Sequence, residues 1–131
     1  MKLSTVGQKN GMLADLTSSD KLYCYLILGG GANMAVLKIR DKRWRLKEVP
    51  DVVESASDFI NSYYRKRGLD GITIYDTNEI FINENLTPIH KLETYIHEIT
   101  HAVLPNLKEG EVQIVGETLS RFLYRRGCKI I

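Results

Sequence analysis

The chain has 131 residues, enough for one domain with a real core, and its 44% hydrophobic and 26% charged content is that of an ordinary folded protein. A formal net charge of +2 supplies no global field toward nucleic acid or membrane, so such a preference would need a local patch. The most apolar window, "YCYLILGGGANMAVL", is too short and too broken by glycine to span a bilayer, and "MKLSTVGQKNG" lacks the apolar run of a signal peptide. A cytoplasmic protein with no membrane partner is expected. Cys24 and Cys128 form neither a CxxC nor a disulfide framework and read as reduced, buried thiols.

No repeat or low-complexity linker interrupts residues 1–131, which supports a single domain. Residues 22–28, "LYCYLIL", and 34–39, "MAVLKI", are β-branched or aromatic runs around "GGGAN", the pattern of a hairpin. The glycines do not make a phosphate loop, which needs GxxxxGK[ST] opening a helix. From Pro50 the period becomes helical: Val53, Ala56, Ile60 and Tyr63 recur on one face, Pro50 and Asp51 suit the start, and Gly68 suits the C′ position. "GITIYDTNEIFIN" then reads as strands over 72–75 and 79–83, with Ile80 and Ile82 facing one way and Glu79, Phe81 and Asn83 the other.

Thr87 as N-cap and Pro88 at N1 open the next helix, with Leu92, Ile96, Ile99 and Val103 as its buried stripe, and Pro105 ends it. After the short "NLK", residues 109–126 read as a last helix with Val112, Val115, Leu119 and Phe122 or Leu123 inward. Glu109 and Glu111 lie at its positive end and Arg125 and Arg126 at its negative end, as the macrodipole favours. So short a link makes the two helices an antiparallel hairpin. The expected fold is α+β, with an N-terminal antiparallel sheet, one helix, an edge strand and a C-terminal helical hairpin.

The first helix of that hairpin carries "TYIHEITHAV", residues 94–103. Residues four apart share a helix face, so His97 and His101 can aim imidazole nitrogens at one point, a geometry Zn²⁺ accepts with Zn–N near ~2.0 Å. Glu98 is rotated about 100° from His97, too far round to join them as a ligand but able to reach a metal-bound water. HExxH therefore means two ligands and a general base. Two of the chain's three histidines fall here, flanked by uncharged residues. A third ligand must return on the next helix, where Glu109, Glu111 and Glu117 are the candidates. Acids in a first helical turn also complement the dipole without binding anything.

The stretch "LETYIHEITHAVLPNLKEGEV…LSRFLYRRG", with "IFINENL" before it, resembles small zincin-like metallopeptidases, particularly short ones encoded in bacteriophages and prophages, whose pattern runs approximately LxTxxHExxHAxxPxLxExxV. The resemblance covers about residues 70–127; residues 1–50 lie outside it. It implies a zincin-like domain with one Zn²⁺ per chain, held by His97, His101 and Glu109, with Glu98 as the base. Gly110 stands where many relatives carry a second acid and Glu111 follows it, so Glu111 remains an alternative ligand, ahead of Glu117. The implied activity is hydrolysis of peptide bonds in a peptide or protein substrate, in the host-cell cytoplasm if the chain is phage-encoded. The substrate would pair along the strand holding Ile80, Phe81 and Ile82. His90 lies two turns from His97, too far for the same ion. Tyr75, Tyr95 and Tyr124 are candidate oxyanion donors.

Two other classes compete. Residues 38–47 hold Lys38, Arg40, Lys42, Arg43, Arg45 and Lys47 around Trp44, a set that could contact phosphates and stack a base of nucleic acid. The same residues also suit the solvated face of a strand. A non-catalytic, zinc-stabilised interaction protein is the third class.

Overall fold

The computed structural model describes residues 24–26, 34–60 and 68–130 of the chain. Their elements are β1 (Cys24–Leu26), β2 (Met34–Ile39), β3 (Lys42–Val49), α1 (Val52–Ser55), β4 (Gly71–Ile74), β5 (Glu79–Asn83), α2 (Pro88–Val103), α3 (Glu109–Arg125) and β6 (Cys128–Ile130). This is an α+β arrangement built on a mixed four-stranded sheet of order β2-β3-β5-β4, with β3 and β5 parallel and the outer pairs antiparallel. Among the described residues no helix is long and apolar enough to cross a membrane.

The expected hairpin across "GGGAN" is not the pairing of its first strand: β1 runs parallel to β6, with Cys24 opposite Cys128. Residues 27–33 lie outside the described residues. The hairpin is instead β2–β3, turning at Arg40 and Asp41, with Arg40 at φ 57°. No glycine or asparagine marks that turn, and an arginine rarely takes the left-handed region. The basic segment therefore spans this hairpin, and β3 pairs with β5 on its other side from Arg45 onward.

β5 also departs from expectation. It is paired by β3 on one side and β4 on the other, so it is not an edge. Ile80, Phe81 and Ile82 are all buried. Ile80 and Ile82 pack with Trp44, Leu46, Tyr95 and Ala102 beneath α2, while Phe81 packs on the opposite side with Val52, Ala56 and Ile74. The uninterrupted apolar triplet fits a strand covered on both faces.

Asp51 caps α1, its side chain accepting from the Glu54 N–H at 3.1 Å. Helical structure is assigned to Val52–Ser55 and gives way to turns up to Phe59, and residues 61–67 lie outside the described set. Val52 and Ala56, rather than Val53, are the buried pair. Thr87 and Pro88 start α2 as expected, though the Thr87 hydroxyl makes no capping bond. The buried line of α2 is Leu92, Tyr95, Glu98 and Ala102, rotated from the expected Leu92, Ile96, Ile99 and Val103. In α3, Val112 is buried and Val115 and Leu123 are half-buried as expected, whereas Leu119 is exposed, contrary to expectation, as is Phe122, and Gly116 and Ser120 are buried instead. Small residues line this contact because the helices approach closely: a Cβ on Gly116 would sit 3.4 Å from the Glu93 carbonyl and 3.5 Å from His97 Cβ.

Candidate metal centre

A buried stripe shifted toward Tyr95 and Ala102 turns His97 and His101 off the sheet and toward α3, where both are half-buried. Pro105 and the 104–108 link then bring Glu109 back level with them. Its two carboxylate oxygens divide between the rings: Oε2 lies 2.9 Å from His97 Nε2 and Oε1 lies 2.9 Å from His101 Nε2. The ring centroids are 5.0 Å apart at 67°. One ligand atom from each of these three residues lies within 4.8 Å of the others.

That donor set fits a divalent ion. Two imidazoles and one carboxylate suit zinc, and ligand atoms around a tetrahedral zinc stand about 3.3 Å apart for bonds near ~2.0 Å. The separations here need only modest adjustment around an ion.

Glu98 lies outside this group. The residue is 7% exposed and its carboxyl points at β4, where Thr73 Oγ1 lies 2.7 Å from Oε1 and 2.9 Å from the Glu98 main-chain oxygen. Burial pushes its pKa up to about 7; the Thr73 hydrogen bond lowers it and the Glu109 charge raises it further. The other oxygen, Oε2, is 3.3 Å from where a side chain on Gly71 would begin, and that same Cβ would lie 2.7 Å from Thr94 Cγ2. Glycine at 71 thus makes the space that Glu98 occupies.

The histidines, Glu98 and Glu109 line a cleft of about 480 Å³ with Leu69, Gly71, Ile72, Thr73 and Tyr75. Tyr75 donates to the His101 carbonyl at 2.9 Å and packs edge-on against Trp44. Of the three candidate tyrosines it is the one lining the cleft. Tyr95 is buried and donates to Glu48 Oε2 at 2.8 Å, and Tyr124 lies on α3 near its end.

The alternative third ligands have other partners. Glu111 turns back to accept from the Lys108 N–H at 3.1 Å, capping its own helix, and Glu117 accepts from Gln113 at 3.1 Å. His90 is exposed and outside the group. Thr73 and Gly71 were not foreseen as site residues. Their one sequence signal is the period-two alternation that sets Gly71, Thr73 and Tyr75 on the same strand face.

Comparison with protein families, with curated proteins and with solved structures finds no match to this chain, so its functional reading rests on its own residues.

Proposed function

We propose that the protein is a zinc-dependent peptide-bond hydrolase of the cytoplasm, its α2–α3 pair forming a zincin-like helical hairpin around one Zn²⁺. The observation that carries this reading is the convergence of His97, His101 and Glu109 beside a buried glutamate that is not one of them. His97, His101 and Glu109 would hold the ion, which when bound supplies a Lewis acid for the scissile carbonyl and lowers the pKa of water.

The chain's own groups supply the rest. Glu98 accepts the proton of the attacking water on its carboxylate and returns it to the leaving amine. Thr73 holds Oε1, so the proton is handled at Oε2, on the side that Gly71 leaves open. An extended peptide would pair along the side of β4 that has no partner strand among the described residues, through main-chain groups alone. That reassigns the docking strand from β5, whose two sides are both taken.

Glu98→Gln tests the reading. With zinc bound, hydrolysis of an unfolded protein or peptide library should fall by about 10²–10⁴-fold, since proton transfer is lost while the ligands stay. Zinc-loaded wild type that cleaves nothing in such a library would favour a zinc-stabilised interaction protein instead.

A further inference from the structure

We propose that the outer face of the β2–β3 ribbon binds the phosphodiester backbone of nucleic acid without reading its bases. The pairing register decides which basic residues act together. Met34 lies opposite Lys47, Val36 opposite Arg45, and Lys38 opposite Arg43. Alternation then sets Lys38, Arg43, Arg45 and Lys47 on one face, while Trp44, Leu46 and Glu48 point to the other and are buried. Arg43, Arg45 and Lys47 form a row at about 6.8 Å intervals, two residues of strand rise each. Such a row is comparable to the separation of successive phosphates along an extended nucleic-acid strand.

Two features argue that this face is more than a solvated one. Basic residues that merely discourage edge pairing belong on edge strands, which accounts for Lys38 on β2. It does not account for Arg45 and Lys47, where β3 is paired by β2 on one side and by β5 on the other; Arg43 is paired by β2 alone. The second feature is an uncompensated like-charge pair. Arg45 and Lys47 share Glu79, at 3.3 Å and 3.1 Å, whereas Lys38 and Arg43 enter no ion pair among the described residues. Cations directly across a ladder repel each other, and an anion bridging them removes that cost. A regular row suits a repeating polyanion better than the irregular acids of a protein surface.

The buried indole limits what the face can do. Trp44 is 4% exposed and packs into the core, so its ring offers no face for the base stacking that the sequence alone allows. Binding without stacking is electrostatic, insensitive to base sequence and steeply dependent on salt.

The test is fluorescence anisotropy of a labelled, mixed-sequence single-stranded DNA with the full chain across a salt series. Wild type should bind at about 50 mM salt, with log K falling linearly against log salt. Lys38→Gln combined with Arg43→Gln should flatten that slope by about 1.4, two phosphate contacts' worth, with the circular dichroism spectrum unchanged. The charge-preserving pair Lys38→Arg with Arg43→Lys should restore it. Absence of binding at low salt, or a slope that the neutralising pair leaves unchanged, overturns the proposal. Equally tight binding of a polyglutamate peptide also overturns it and assigns the face to an acidic protein.

Discussion

Glu48 on β3 and Glu98 on α2 are comparably removed from solvent, 9% and 7% exposed, but their surroundings answer that burial in opposite ways. Lys91 Nζ lies 2.9 Å from one oxygen of Glu48, and the Tyr95 hydroxyl donates to the other at 2.8 Å. Charge and lone pairs are both compensated, as a buried carboxylate requires. Among the described residues Glu98 has a single neutral donor, Thr73, and its charged influence is the like charge of Glu109. One region is a closed network, and the other is a buried acid next in sequence to His97, without a counter-charge among the described residues. The difference lies in the counter-charge: Glu48 has one from the chain itself, and Glu98 has none among the described residues. Lys91 already serves the first site; at the second, a divalent ion on His97, His101 and Glu109 would supply the positive charge.

Removing the cation from the closed site should break the contrast most severely. Lys91→Met leaves Glu48 buried without its counter-charge and should cost about 3 kcal/mol, measured by urea unfolding. A loss below about 1 kcal/mol would mean that the pair is as weak as one on the surface.

The pH dependence of stability sharpens the comparison from the other side. In chelator-treated protein, folding raises the Glu98 pKa from its ordinary 4.5 to about 7. The folded state therefore binds this proton more tightly than the unfolded chain, and stability falls as pH rises from about 4.5 to about 7. At 1.36 kcal/mol per unit, the loss totals about 3 kcal/mol. Glu98→Gln should remove this slope. Parallel pH profiles for the two proteins would show that Glu98 is not held in a costly environment.

A smaller effect is expected where Glu98 meets β4. Gly71→Ala places a methyl 2.7 Å from Thr94 Cγ2 and 3.0 Å from Glu98 Cγ, so the Thr94 and Glu98 side chains, or the strand against the helix, must shift. Overpacking of this kind should cost about 1–3 kcal/mol in thermal or urea unfolding. An unchanged stability would show that α2 lies farther from β4 than described.

Much of the site was legible because it is local. HExxH on a helix fixes the relation of His97, Glu98 and His101 by helical geometry alone, and Pro105 with a short link predicts that an acid returns. The choice among Glu109, Glu111 and Glu117 was not local. It depended on Glu111 being consumed by its own cap and Glu117 by Gln113, which spacing does not reveal. Strand order was illegible for a similar reason. The parallel pairing of β3 with β5 joins residues more than thirty positions apart, and no turn signal announces it. Exposed Leu119 and Phe122 show the limit of periodicity: α3 turns small residues, Gly116 and Ser120, toward its partner, and a hydrophobic count looks past them.

The central claim is that two imidazoles and Glu109 together hold one divalent ion. Zinc titration of chelator-treated protein by isothermal calorimetry tests it most directly. Wild type and Glu98→Gln should each take up about one zinc per chain, His97→Ala and His101→Ala none with appreciable affinity, and Glu109→Ala a more weakly bound ion. Zinc affinity that survives His97→Ala, or a wild type that binds none, would contradict the account.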